Sequence, residues 1–531
     1  MQPNTSRSAS LRSAAQGEAL SPTRRVKKSS RTALAVATLG SLSLLSIPAR
    51  AGGFALGENG TEALGRGGAF VAKADSPLAL EYNVAGLAQA RGTRVLFDNH
   101  LFFSQYRFAR AGSDGSGPYP EIGDHAGQPF WAPWFGFSTD FGYFRRWTFA
   151  LGAFGPSSVG KRNYGLYSPT EGNPRRPGPG RYDVVATDLL IVQPTLAIAV
   201  RAHRVLDLGI SGQLVAAQFN LSSATYAPQD LGGTYPKSAA CATQTEVPDC
   251  DAFTRVQVQS WDNFALQLGA LLHPGGGFHI GAHVRTAVNL GTAPINAKGT
   301  VSASEPVSIA GFGVGADRMD ARFQARLPWI ARLGLRYAFS KAGREIADIE
   351  VDGVYESWGQ MQGSDNQLTL VNPPVLVNGG MPIDIRLVHN YRDTFGLRVG
   401  GAWRQPLGQS AAATLRLGAY YDTSATAPAD TRIDFDTLSK IGGTIGLGLS
   451  LRGVTLNLAY AYLYSLPRTV TDGALLPIDG LTGKPLAVAG MQAPAINNGE
   501  YQGQNHILSL GLSIVFDELV RGPDWLSRRG L

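Results

Sequence analysis

From residue 93 to residue 516 the chain repeatedly alternates apolar side chains with polar residues or glycine, and a period of two sustained over such a length confines it to strands. In the first such segment Val95, Phe97, Leu101 and Phe103 alternate with Arg94, Asp98 and His100. Leu333, Leu335 and Tyr337 oppose Arg332, Gly334 and Arg336, and Ile349, Val351 and Tyr355 oppose Glu350, Asp352 and Glu356. Leu397, Val399 and Trp403 oppose Arg398 and Arg404, and Leu415, Leu417 and Tyr421 oppose Arg416 and Tyr420. Leu456, Leu458, Tyr460, Tyr462 and Tyr464 form one stripe against Thr455, Asn457 and Ala459, and Leu508 to Phe516 closes the series. About fourteen segments of this kind are present, a number within the range of single-chain membrane barrels. One face of each is greasy and the other carries charge or glycine, as expected when the outside meets lipid and the inside is a lumen. A soluble sandwich would bury the apolar face and expose one far richer in Lys and Glu.

The N-terminus explains how such strands reach a membrane. A cationic stretch with Arg24, Arg25, Lys27, Lys28 and Arg31 precedes an apolar run at residues 32–47, which ends at Ala49-Arg50-Ala51. That order is a secretory leader, and the run falls short of the ~20 apolar residues of a spanning helix. Residues 1–51 are therefore read as a signal peptide. They carry eight basic residues and one acid, so they account for the whole formal charge of +7. The basicity is an address and not a nucleic-acid face. Charged residues are only 16% of the chain, against about 25% in soluble proteins, and Gly is 65 of 531. No second apolar run reaches spanning length, which leaves a closed barrel as the way to satisfy every backbone group in lipid.

Cys241 and Cys250, with eight residues between them, are the only cysteines. In an oxidising compartment such a pair most often closes a loop as a disulfide, whereas a metal site needs further ligands and no His is near. Short turns at 273–277 and 452–453 contrast with long connections at 156–187, 222–260, 360–392 and 466–504, so the short side is assigned to the periplasm and the long side to the exterior. Trp147, Trp261, Trp358, Trp403 and the Tyr462, Tyr464 pair are placed in aromatic girdles at the membrane interfaces.

Before the first strand, residues 52–91 form a small-residue segment in which Gly57, Gly65, Gly67 and Gly68 interrupt any regular pattern. Here the sequence resembles the FadL family of outer-membrane transporters for long-chain fatty acids and aromatic hydrocarbons. The resemblance rests on Gly52-Gly53-Phe54-Ala55-Leu56, on Gly65-Arg66-Gly67 and on Glu81-Tyr82-Asn83-Val84-Ala85-Gly86-Leu87, where Val84 stands in place of the proline of the family's Asn-Pro-Ala tripeptide. It continues through Leu327-Pro328, Leu333-Gly334-Leu335-Arg336-Tyr337, Asp352 to Trp358, Tyr391-Arg392-Asp393-Thr394 and Leu415 to Asp422.

The resemblance implies a monomeric, all-β, antiparallel transmembrane barrel of fourteen strands in the Gram-negative outer membrane, plugged by its own N-terminus. It implies passive uptake of hydrophobic small molecules, long-chain fatty acids foremost, by capture in an apolar groove, movement of the plug and lateral release past lipopolysaccharide into membrane lipid. Neither cofactor nor catalysis is required. The plug is expected at residues 52–91, the barrel at 92–516 and a periplasmic tail at 517–531. Phe54 and the Asn83-Val84-Ala85 turn are the candidate gate and ligand residues. Arg336 and Arg398, with Arg332 and Arg416, are candidates to meet a fatty-acid carboxylate, the alternative being that they neutralise lumen acids such as Glu350, Asp352 and Glu356. His279 and His283, four residues apart on one strand face, make a poor chelate without a third ligand. Gly311-Phe312-Gly313-Val314-Gly315 lacks the lysine and the strand-to-helix setting of a phosphate loop. A general porin or adhesin would need no N-terminal plug. An outer-membrane lipase would need a nucleophile, and no Gly-x-Ser-x-Gly elbow occurs.

Overall fold

The computed structural model describes residues 57–521 except 125–128, 157–160, 228–238, 305–317, 362–366, 374–380, 409 and 481. The leader, Phe54, Gly311 to Gly315 and the end of the tail lie outside the described residues.

The alternating segments pair into one antiparallel sheet that closes on itself. Its strands are β1 (Arg94–Arg110), β2 (Phe130–Thr139, prolonged outward by Ile122–Gly123), β3 (Trp147–Phe154, continued by Lys161–Asn163), β4 (Ala186–His203) and β5 (Leu206–Tyr226). There follow β6 (Asp251–Gly275), β7 (Phe278–Arg285 and Ile295–Ser304), β8 (Arg318–Ala325 and Ile330–Lys341), β9 (Arg344–Glu356 and Gln367–Leu370) and β10 (Ile383–Arg386 and Thr394–Pro406). The last four are β11 (Ala411–Asp422), β12 (Lys440–Leu451), β13 (Val454–Val470) and β14 (Gly499–Val515). Each pairs with its sequence neighbour, and β1 also pairs with β14 from Arg94 opposite Val515 to Arg110 opposite Gly499. Closure removes both sheet edges, as a membrane requires.

Burial follows the sequence pattern. On β8 Leu333 and Leu335 are exposed to the outside while Arg336 is buried, and on β9 Glu350 and Asp352 are wholly buried between exposed Ile349 and Val351. Trp147, Trp261 and Trp403 lie on the outer surface, but Trp358 does not belong to a girdle. It is buried in the lumen and donates its indole N–H to Glu356. Trp358 shares the parity of inward-facing Glu350 and Asp352, so nearness to a strand end was a poor guide to its face.

The strands outrun the bilayer. At 25 residues β6 far exceeds the roughly 10 that span, so its outer half stands above the membrane. Residues 222–226 and 251–260, expected in a long connection, belong to β5 and β6 for this reason. Four neighbouring strands, β7 to β10, break partway up. Leu327-Pro328 accounts for one break, since Pro328 has no N–H to give a ladder. The loop cysteines form the Cys241–Cys250 disulfide, packed against Tyr226, Leu486 and Val488. The final strand ends at Val515, one residue earlier than expected, and Phe516 opens a short helix, Phe516–Arg521. Asp517 accepts from the N–H of Thr93 at 2.7 Å and so ties the chain's last described element to the start of β1.

Candidate functional site

The lumen is filled from two directions. From below, residues 57–92 fold into α1 (Thr61–Leu64), α2 (Ala79–Tyr82) and a 3-10 helix, Val84–Gln89, nearly all of it buried. Glycines prevent a longer helix, and the resulting turns leave backbone N–H groups that need partners. The barrel wall supplies them. Asp352 accepts from the amides of Phe70 and Val71 at 2.8 and 3.0 Å, and Glu350 from those of Ala72 and Lys73 at 2.6 and 3.2 Å. Arg66 reaches Asp348 at 2.7 Å and Glu350 at 3.2 Å. Thr61 binds Asp98 through its N–H and its hydroxyl.

Asn83 accepts from the amide of Ala85 at 3.2 Å and donates to the carbonyls of Val71 at 2.9 Å and Ala270 of β6 at 3.1 Å. It therefore caps the 3-10 helix and moors it to the wall in one step. Val84 and Ala85 are fully buried. The wall facing them is glycine by necessity: a Cβ on Gly209 or Gly269 would lie 2.5 or 2.4 Å from the nearest atom of Val84 or Asn83. Gly418 faces Arg66 in the same way, at 2.1 Å.

Arg336 and Arg398 face the lumen, but each already holds carboxylates. Arg398 lies 2.5 Å from Glu58 and 2.7 Å from Asp422, and Arg336 pairs with Glu345 and, at 3.0 Å, Asp348. Arg416 meets Glu62. Arg332 donates to the backbone of Glu81 and lies over the ring of Tyr82. None of these four arginines pairs with Glu350, Asp352 or Glu356, the acids expected to neutralise them; Arg398 and Arg416 instead meet acids of the plug, Glu58 and Glu62. Burial pushes the Glu81 carboxyl up to about 7, although Arg332 and hydrogen bonds from Asn59 and Trp134 favour the ionised form. His283 is buried opposite Arg332, and no cluster of three metal-ligating side chains occurs among the described residues.

From above, the connection between β11 and β12, residues 423–439, folds inward. Sequence reasoning passed over it, because its Thr, Ala, Pro and Asp content is that of any surface turn. It is buried along most of its length, with Ile433 and Leu438 in the largest apolar cluster among the described residues. Asn497 donates to the carbonyls of Ala429 and Thr431 at 2.8 and 3.0 Å, and Tyr164 to that of Ile433 at 2.9 Å.

Three cavities are lined by described residues of the lumen. The outermost, about 420 Å³, runs between the wall residues Leu221, Val256, Val301 and Leu370 and the loop residues Leu475, Leu476 and Ile478. An inner one of about 120 Å³ is walled by Ile191, Phe219, Ile295, Phe323, Leu327, Trp358 and Tyr391. Below it a polar chamber of about 90 Å³ is bounded by Gln193, Gln213, Gln267, Arg285 and Glu81, with Phe154 and Pro156 at the break in β3. Asn59 of the plug donates to the carbonyl of Gly155 at that break, at 2.8 Å.

No curated protein matches the chain closely. Among solved structures, a FadL homologue of Pseudomonas aeruginosa superposes with a TM-score of 0.66 at 16% identity, covering 88% of this chain and 100% of the other. The toluene transporter TbuX of Ralstonia pickettii gives 0.58 at 16% identity, with 86% and 98% covered. TodX of P. putida, also a toluene transporter, gives 0.56 at 17%, again with 86% and 98% covered. At such identities the likeness is one of fold. The family model for outer membrane protein transport proteins (OMPP1/FadL/TodX) matches residues 42–492, which covers the buried N-terminal segment and most of the barrel. The chain belongs to that family.

Proposed function

We propose that this barrel is a passive channel for hydrophobic molecules, long-chain fatty acids foremost, which enter by the outer cavity, pass to the inner one and leave sideways at the break in β3 once the plug shifts. The observation that carries the reading is the pair of apolar cavities stacked above the plug, in a lumen otherwise laced with ion pairs. Each methylene moved from water into such a wall gains about 0.8 kcal/mol, so a greasy solute is drawn along without an energy source. The inner cavity is close to the roughly 150 Å³ that holds one benzene ring, so it takes a ring or a short stretch of chain while the outer cavity takes the remainder.

In this scheme the Asn83-Val84-Ala85 turn is the hinge point of the plug. Arg398 is a restraint that must release Glu58 as the plug moves. Asn59 holds the exit shut through Gly155. The test is uptake of radiolabelled oleate and of toluene by cells that lack their own transporter, with the intact chain and with a variant deleted from Phe54 to Gly86. The intact chain raises uptake of one or both, and the deletion abolishes or deregulates it. Entry of small hydrophilic solutes alone would replace the reading with a porin.

A further inference from the structure

We infer that residues 423–439 are an inner gate of the conduit and that Arg432 is its threshold residue. The inference rests on the channel reading above and adds a second closure, independent of the plug.

The outer and inner cavities are separated by three shared wall residues, Leu221 of β5, Leu387 between the halves of β10, and Arg432 of the inward connection. Two of these are ordinary apolar wall. Arg432 is a charged side chain set across the join of two greasy spaces. Its guanidinium reaches Asp183, which lines the outer cavity, at 2.6 Å, and lies 3.6 Å from Asp434, which lines the inner one. The amide of Ile433 also donates to Asp183, at 2.9 Å, and His389 meets Asp434 at 2.6 Å.

A hydrophobic solute cannot slide past this cluster while it is intact. The charges are buried and satisfied by one another, and an apolar body placed among them would leave one unpaired. The solute therefore advances only when Arg432 leaves Asp183 and the stretch around Arg432 and Ile433 moves away from the wall. The anchoring pattern permits that motion. Asp183 precedes β4 and so belongs to the wall side; the flanks of the connection are moored by Arg468 and Ser465 of β13 and by Asn497, whereas Arg432 and Ile433 are held by Asp183 and by the Tyr164 hydroxyl on the Ile433 carbonyl, so opening breaks these contacts and leaves the flanks in place. Arg432 is thus a positioning residue that sets the rate of transfer between cavities, not the affinity of the outer one.

Two variants of the full chain test this. A Cβ on Gly180 would sit 2.6 Å from the Ile433 side chain, so Gly180→Cys with Ile433→Cys places two thiols to pin the connection shut. With the cross-link formed, oleate uptake falls at least about tenfold, while binding of 11-(dansylamino)undecanoic acid to the outer cavity of the purified barrel is unchanged. Reductant restores uptake, and the parent under the same reductant controls for opening of Cys241–Cys250. In the second variant, Asp183→Asn with Arg432→Gln removes both charges together, and the uptake rate rises severalfold at unchanged KM. If the cross-linked protein takes up oleate at the parental rate, residues 423–439 are fixed wall and the inference is overturned. If the parent admits neither oleate nor toluene, the channel reading fails first and the gate with it.

Discussion

The two segments that fill the lumen, 57–92 from below and 423–439 from above, do so by opposite means. The lower one presents backbone to the wall, and the wall answers with carboxylates and glycines. The upper one presents Ile433 and Leu438 to an apolar cluster and is held by side chains that reach in from the barrel, Arg468, Ser465, Asn497 and Tyr164. A backbone clasp is directional and cooperative, since four consecutive amides share two carboxylates. Apolar packing is non-directional and tolerates sliding. The lower closure is therefore built to move as a unit or not at all, and the upper one by degrees.

The largest effect that would break this contrast is at Gly418. Gly418→Val puts a side chain where Arg66 runs, and the plug is expelled as a whole; single-channel recordings in planar bilayers should show a large open conductance absent from the parent. Next is Asp352→Leu, which strands the amides of Phe70 and Val71 at a cost of about 1–3 kcal/mol each. Amide exchange across residues 60–90 should accelerate together, whereas exchange confined to 70–71 would show that the clasp is not cooperative. Ile433→Ala should cost about 2–4 kcal/mol of local stability in the upper segment and leave plug exchange untouched. If the plug loosens too, the two closures are coupled.

The smallest effect is a pH dependence from Glu81. Its carboxyl is raised to about 7, chiefly by burial, from an ordinary value of 4.5. The folded plug then binds more protons than the unfolded one between those two values, so its stability declines as pH rises through that window and levels off above it. Protection of the plug against exchange should be greater at pH 5 than at pH 8, and Glu81→Gln should flatten the difference.

The barrel was legible in the sequence because its determinant is local: a strand facing lipid on one side declares itself within eight or nine residues. The lumen was not, because its pairings are remote. Arg398 was recognisable as an inward charge, yet its partner Glu58 lies 340 positions away, and nothing near either residue names the other. Asn83, Val84 and Ala85 were found through family resemblance, and the structure shows the mooring they make. Trp358 was misplaced because an aromatic near a strand end was read as a membrane anchor, although its parity matches that of inward Glu350 and Asp352. Residues 423–439 were missed altogether, since a loop that folds inward differs from one that folds outward in what awaits it and hardly at all in composition.

The pairing of β1 with β14 has a consequence for how the molecule is made. The first strand waits for the last before its free edge is covered, while the plug precedes both in the chain. The bond from Asp517 to Thr93 is placed where the final residues of the sheet meet the point at which the plug enters it. The wall can thus be wound around its own stopper, since no fully formed empty barrel need precede the filled one.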